Sequence, residues 1–346
     1  MTAPKLSIII PVLNDAGALG RLLAQLGGQT FRDWEIWVAD GGSEDDSVAV
    51  AHQGRVEVVV SPPGRGVQMN AAASQACGAQ LLFLHADSSL PYPRLLEDAY
   101  GFMVQHLARQ PRTAGHFGLR FVDSPPENRW IWRFWEAKSR TNRPECIHGD
   151  QGLWISKKFF EEVGGFDTTF PFLEERRVAQ AVARRGQWMV LPGWLGTSAR
   201  RFGQEGLARR TILNALIMAC HALDHQDFLR HAPALYRQQR CTDTLPLADF
   251  FHLLKELDRA TPVARRRERW LHAGRLLRHS VWQVFLLLDV WIKRDVRNHG
   301  FSFMSFYHRR LEPLLPRVFP DPVARVCAWS IIHGLSLYFR WSRWWR

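Results

Sequence analysis

The chain has 346 residues, 46% hydrophobic and 23% charged, with no low-complexity tract or internal repeat, which excludes wholesale disorder and a solenoid and leaves room for two packed domains. Its net charge of +12 is unevenly spread, since residues 1–204 hold 22 Lys and Arg against 21 Asp and Glu, while residues 205–346 hold 23 against 12. That asymmetry directs the C-terminal stretch toward a polyanion, either nucleic acid or an anionic membrane face.

The apolar run LSIIIPVLN at 6–14 is the first expected strand; EIWVADGG at 35–42, VEVVVSPPG at 56–64 and LLFLHAD at 81–87 are the next three. Helical patterns lie between them, AGALGRLLAQL at 16–26 and GVQMNAAASQACG at 66–78. Strand alternating with helix predicts a mostly parallel sheet covered on both faces, with ligands at the carboxyl ends of its strands. Asn14, Asp15, Asp40, Arg65 and Asp87 all fall at those ends. A further strand is expected at GHFGLRF (115–121), then an aromatic and polar crossing, the segment HGDQGLWIS (148–156), a helix from 157, the turn GGFD (164–167) and an acidic helix start within 172–186. From about 205 the pattern turns helical and rich in Arg, Trp and Leu, which sets the expected domains at 1–208 and 209–346.

Five cysteines, at 77, 146, 220, 241 and 327, are odd in number and never in C-x-x-C spacing; this argues against a disulfide framework or zinc site and for a reducing cytosol. The first apolar run is short and passes through Pro11 without a small-residue cleavage site, so no signal peptide is expected. No stretch reaches the roughly 18 uninterrupted apolar residues of a membrane span.

The segments SIIIPVLND (7–15), VADGGSEDDS (38–47), GRGVQMNAAA (64–73), LFLHAD (82–87), HGDQGLWISKKFFEEVGGFD (148–167), LEERRVAQAVARRG (173–186) and TSARRF (197–202) follow one another in order. With them, the N-terminal region resembles a family-2 glycosyltransferase of GT-A fold, in the branch of arsenosugar-biosynthesis-type enzymes; the C-terminal extension is not covered. The expected fold class is therefore α/β, a nucleotide-diphospho-sugar transferase fold with a mainly helical C-terminal region.

The resemblance implies a role for each polar residue, beside which the residue's own chemistry offers a second. Asp40 would accept from the base N–H of a uracil-like ring, with Gly41 where the family usually has a second acid; it would equally serve as a turn carboxylate for nearby backbone N–H groups. Asn14 and Asp15 would line the nucleotide pocket or cap the following helix. Arg65, between two glycines, suits a diphosphate, because guanidinium binds phosphate oxygens in a forked geometry. The family carries Asp-x-Asp after the fourth strand; here the sequence is His85-Ala-Asp87. Asp87 is then the ligand for Mg²⁺ or Mn²⁺, a hard ion that also binds substrate phosphates, and His85 a contact to the sugar or diphosphate. As local structure the two would be a strand-end cap and a packed neutral histidine.

An inverting transfer needs a base near the acceptor hydroxyl. The family places it second in an acidic pair, which assigns Glu175 of Glu174-Glu175, with Asp150 in reserve beside the donor sugar; helix N-termini favour acids on electrostatic grounds as well. Arg200 and Arg201 would fold over the diphosphate, or form a solvated surface pair.

In the C-terminal region seven Trp, at 270, 282, 291, 329, 341, 344 and 345, are interleaved with Arg, Lys and apolar runs broken by Asp289 and His333. Trp and Arg favour the membrane interface, so peripheral association with the cytoplasmic membrane face is expected; a helical core or dimer interface is the alternative. No nucleic-acid motif is present, and no nucleic-acid partner is expected. The expected activity is inverting transfer from a nucleotide-sugar donor, UDP-linked, to a hydroxyl acceptor, lipid-linked or small. The rivals are a degenerate membrane-bound scaffold, favoured by His85, and a sugar nucleotidyltransferase, whose glycine-rich loop and lysine PVLNDAG lacks.

Overall fold

The computed structural model describes residues 3–127, 129–169, 172–237, 245–292 and 302–341. They form two compact units, Met1–Ser198 and Ala199–Arg346, a division ahead of the expected boundary at 208.

The first unit runs β1 (Leu6–Val12), α1 (Ala16–Gly27), β2 (Trp34–Asp40), α2 (Ser47–Gln53), β3 (Glu57–Val60), α3 (Arg65–Gln75), β4 (Gln80–Phe83), α4 (Leu95–Arg109), β5 (Thr113–Phe121), α5 (Arg129–Lys138), β6 (Leu153–Ser156), α6 (Lys157–Val163), α7 (Glu175–Arg185) and β7 (Gln187–Thr197). Its sheet is ordered β3-β2-β1-β4-β6-β5-β7. Only β6 runs antiparallel to its neighbours, β4 and β5, so the expected mostly parallel α/β fold is what forms.

The reason lies in the apolar runs. All seven residues of β1 are buried, as a strand covered on both faces requires. Ile8 and Ile10 pack with Leu19 and Leu22 of α1 and with Leu95 and Met103 of α4. Ile9, pointing the other way, packs with Met69 of α3, Phe159 of α6 and Val178 of α7. The alternation of faces along one strand thus fixes which helices lie on which side.

The strands end earlier than their apolar runs. β1 pairs with β4 only as far as Ile9 opposite Phe83, while its pairing with β2 continues to Val12 opposite Asp40. Pro11, which has no N–H to donate, stands just past the end of β4, where no ladder bond is lost. The sheet order reverses at the same place, since chain from β1 leads to β2 on one side and β4 lies on the other. A crevice at this switch point is where open α/β sheets bind ligands.

Edge strand β7 goes beyond the sequence reading, because Pro192 and Gly193 make QWMVLPGWLGT resemble a loop. Its register with β5 shifts between His116 opposite Val190 and Gly118 opposite Trp194. Leu191, Pro192 and Gly193 occupy that irregularity, with Gly193 at φ +85°, a place where an edge strand tolerates proline.

The second unit is helical: α8 (Arg200–Glu205), α9 (Leu207–Ala222), α10 (Gln226–Arg237), α11 (Leu247–Ala260), α12 (Val263–His279), α13 (Trp282–Trp291), α14 (Phe303–Phe306), α15 (Leu315–Val318) and α16 (Asp321–Trp341). Helices α12 and α16 touch backbone to backbone at Gly274, where a Cβ would lie 2.5 Å from the Arg325 nitrogen. Asp289 interrupts the apolar run of α13 and is fully buried, yet its carboxylate accepts from the N–H groups of Phe303 and Met304 at 2.8 and 2.9 Å. The tryptophans divide between core and surface. Trp282 is buried, while Trp291, Trp329 and Trp341 are exposed; Trp344 and Trp345, like Cys241, lie outside the described residues. No helix among the described residues is long and apolar enough to cross a membrane.

Trp154 of β6 fills the centre of the sheet with no exposed surface, and its indole N–H donates to Gln80 Oε1 at 2.7 Å. Trp154→Ala is expected to cost about 3–5 kcal/mol, and Trp154→Phe, which strands the Gln80 oxygen, about 1–3 kcal/mol. Denaturant titration of both variants checks the ranking.

Candidate active site

Asp40 closes β2 at 2% exposure, and its carboxylate accepts from the backbone N–H groups of Gly42 and Ser43. The loop after β2 is therefore folded around Asp40, the turn role that its chemistry offers. Asn14, at φ +53°, takes the left-handed conformation that asparagine tolerates. Its Oδ1 accepts from the Glu44 N–H at 2.8 Å, and its own N–H donates to Ser43 Oγ. Asn14 thus ties the two loops at the crevice together and does not cap α1.

Asp15 holds the N-cap position of α1 but makes no side-chain cap bond. The capping expectation is corrected by Asp45, which accepts from the Ala16 N–H at 3.0 Å and from the Ser47 hydroxyl at 2.5 Å. Those bonds, the Ser47 hydroxyl first, hold the Asp45 carboxyl below the ordinary range. The Asp15 carboxylate is left exposed at the rim.

Gly41 has a local partner in Gln68. The buried Gln68 amide donates to the Val12 and Ala39 carbonyls at 2.7 Å each, joining the ends of β1 and β2. A Cβ at residue 41 would come within 3.1 Å of that amide, so the missing second acid coincides with a glutamine occupying the space.

Beyond β4 the chain turns at His85 and Asp87, both outside the strand. The half-buried His85 ring lies against the turn Gly149–Gln151, its Nε2 2.5 Å from where a Gly149 Cβ would be. Only glycine fits there. The next residue, Asp150, has its Oδ1 sealed from solvent without a hydrogen-bond partner. Burial, and behind it the charges of Glu175 and Asp87, push the Asp150 carboxyl up to about 6, with His148 opposing. Asp87 is exposed, yet close enough to be felt at Asp150.

Glu175 opens α7 with its side chain 12% exposed and Oε1 3.4 Å from His148 Nδ1. Burial raises its carboxyl, but the His148 hydrogen bond and charge, with Arg176 behind them, outweigh this and hold it below the ordinary range. Its neighbour Glu174 is buried at 2% and faces Arg65 at 3.7 Å. Burial first, then Glu175, raise the Glu174 carboxyl. His148 and Glu175 also line a narrow recess whose other walls include Phe83, Phe166, Val178 and Trp188, which keeps one side of the pair dry.

Two contacts lock this arrangement to α3. The Asn70 amide exchanges hydrogen bonds of 3.0 Å with the Phe166 carbonyl and N–H. Gly66 lies so close to the Asp167 carbonyl that a Cβ would meet it at 2.5 Å. The GGFD turn therefore positions the start of α7 beside Arg65.

The expected residues of the first unit accordingly fall into two groups at one rim of the sheet: Asn14, Asp15 and Asp40 at β1 and β2, and His85, Asp87, Asp150, Glu175 and Arg65 around β4 and β6. Arg200 and Arg201 belong to the second unit, exposed at the start of α8. His148 is the residue that sequence reading missed; its signal was its place two residues before Asp150. Among the described residues no three His, Cys, Asp or Glu side chains converge as a closed metal cage. An exposed carboxylate such as Asp87 nevertheless fits a hard cation held mainly by water and substrate phosphates.

Residues 7–164 match the family described as Glycosyl transferase family 2. The chain carries a family-2 glycosyltransferase domain. Over 113 residues it is 36% identical to a PGL/p-HBAD biosynthesis glycosyltransferase of Mycobacterium bovis, an alignment covering 31% of this chain and 44% of that protein. It is 32% identical over 105 residues to the glycosyltransferase AglE of Haloferax volcanii, covering 28% and 34% of the two chains. The chain thus spans less than half the length of either relative. In fold it is similar to S. aureus TarS 1-349 in complex with UDP-GlcNAc, with a TM-score of 0.50 at 15% identity, covering 91% of this chain and 92% of that one. The architecture of the transferase domain is thus of GT-A type.

The raised Asp150 carboxyl has a consequence for the stability of the transferase domain. Between the ordinary aspartate value of 3.8 and about 6, the folded protein binds the proton that the unfolded chain has released, so its contribution to stability is full below pH 3.8 and is lost as pH rises through about 6. Asp150→Asn, neutral throughout, is expected to gain stability over the wild type across that interval and then level off, as measured by denaturant unfolding at stepped pH.

Proposed function

We propose that the protein transfers a sugar from a nucleoside-diphosphate donor, UDP-linked, to an acceptor hydroxyl with inversion at the anomeric carbon. What supports this reading is that His148 and Glu175 meet at 3.4 Å and, with Asp87, lie near enough to act on the charge of Asp150 at the rim where β4 ends. Asp40, Asn14 and Asp15 would receive the nucleoside, and Arg65 the diphosphate. Asp87 would hold Mg²⁺ or Mn²⁺, which when bound neutralises charge on the departing diphosphate.

In the transfer, the acceptor oxygen forms a bond to the anomeric carbon as the bond from that carbon to the diphosphate oxygen breaks, and the hydroxyl proton passes to Glu175. The low proton affinity of Glu175 keeps it ionised near neutral pH, and the His148 contact fixes which way the carboxylate faces. Asp150, at about 6, is the stronger proton acceptor but is the more enclosed group. It is assigned to the donor sugar's hydroxyls. The acceptor is lipid-linked, met at a cytoplasmic membrane face through the basic second unit.

Glu175→Gln is expected to lower kcat by about 10²–10⁴-fold while leaving UDP affinity unchanged; a variant that keeps the wild-type rate removes Glu175 from the chemistry. Calorimetric titration with UDP, with and without Mn²⁺, tests the cation site. Asp87→Ala is expected to abolish the Mn²⁺-dependent gain in affinity, and retention of that gain would place the ion elsewhere.

A further inference from the structure

We infer that the outward face of α16 is a lipid-binding surface that lies in the headgroup layer of an anionic membrane. This deepens the membrane-associated reading of the second unit, on which it rests, and does not depend on the transfer chemistry.

Helix α16 is turned inside out relative to an ordinary surface helix. Its buried side is small or aromatic, with Ala324, Ala328, Ser336 and Phe339; Phe339 stacks on Phe251 of α11, and the backbone at Ala324 meets Gly274 of α12. The opposite side carries Val323, Val326, Ser330, Gly334, Leu337 and Trp341, all exposed. Their spacing of three or four residues makes one continuous stripe along the helix, with no charge in it. Ile331 and the 65% exposed Tyr338 widen it on one edge. Single exposed apolar residues are ordinary, but a helix face facing water is normally polar. A stripe five turns long needs an occupant.

Charge selects the occupant. Helix α12, packed along α16, pairs Arg275 and Arg278 with Asp321 of α16 at 2.7 and 2.8 Å, and carries Arg265, Arg266, Arg267 and Arg269 besides, against Glu268 as its own single acid. An apolar stripe beside a cationic helix matches a surface with acyl chains beneath anionic headgroups. Trp341 at 69% exposure and Tyr338, amphipathic rings at one end of the stripe, suit that boundary. A second copy of this chain, carrying the same +12, would set Arg-rich helices against each other. Because no described helix is long and apolar enough to cross a bilayer, the geometry points to a helix lying in the plane.

The test is co-sedimentation of the full chain with vesicles of phosphatidylcholine, alone or mixed with phosphatidylglycerol, for the wild type and for the double variant Val326→Asn/Leu337→Asn. Both positions are exposed and neutral before and after the change, so thermal unfolding and UDP binding are expected to stay at wild-type values. The wild type is expected to bind the phosphatidylglycerol vesicles and to be only partly released by high salt, and the double variant to bind about tenfold more weakly or worse. Equal binding by both proteins overturns the assignment to α16 while leaving membrane association standing. No binding by the wild type to either vesicle overturns both. A dimer in size-exclusion chromatography that the double variant dissolves would make a second copy the occupant and likewise overturn the proposal.

Discussion

The first unit depends on holding two carboxylates, those of Asp150 and Glu175, at a poorly hydrated rim of the sheet. Burial alone would drive both toward the neutral acid. The structure treats them differently: Glu175 has an imidazole within reach and stays charged, whereas Asp150 has one oxygen sealed off with no partner and holds its proton longer. Two like groups with unlike proton affinities, side by side in a crevice, is the arrangement that acid–base chemistry at one site requires. The neighbouring Asp87 charge is felt at Asp150 from a solvent-exposed position.

That rim exists because of how the strands end. β4 stops at Phe83, opposite Ile9, while β1 continues to Val12, and Pro11 stands two residues past the last β1 residue paired on that side. The gap is then held open by polar ties. Gln68 bonds the ends of β1 and β2, Asn14 joins their loops, and Asn70 fixes the turn that leads into α7. Each of these amides satisfies backbone groups at the strand ends or in the loops beside the crevice. Glycines 66 and 149 allow α3 and the turn before β6 to approach more closely than any side chain would permit.

Much of this was legible in the sequence because burial writes itself into composition. The run Leu6–Val12 is apolar on both faces, and the polar residues immediately after such runs marked the strand ends to within a few positions. What stayed hidden belongs to contacts made across the chain. Asp45 caps a helix that begins 29 residues earlier, a role that local spacing gives to Asp15. His148 meets Glu175 across 27 residues of sequence, and neither its type nor its neighbours indicate that partner. β7 was obscured by Pro192 and Gly193, which act as breakers in isolation but are absorbed by a register shift at an edge. In each case the missing information was a non-local partner.

The second unit shows the converse. There composition was read correctly as unusual, but a tryptophan count cannot distinguish a core from a surface, and the structure contains both. Trp282 is enclosed while Trp329 and Trp341 are not. Asp289, which reads as a break in an apolar run, proves to accept from the first two backbone N–H groups of the next short helix, beside the cap bond that Ser302 Oγ accepts from the Ser305 N–H. Polar groups are thus satisfied inside this unit, while valine, leucine and tryptophan remain outside on α16. A chain that buries an aspartate with full hydrogen bonding yet leaves an apolar stripe uncovered has not failed to form a core. That stripe is the surface we assign to a lipid headgroup layer, and on that assignment the arginines of the adjoining helix set the sign of the charge the layer would carry.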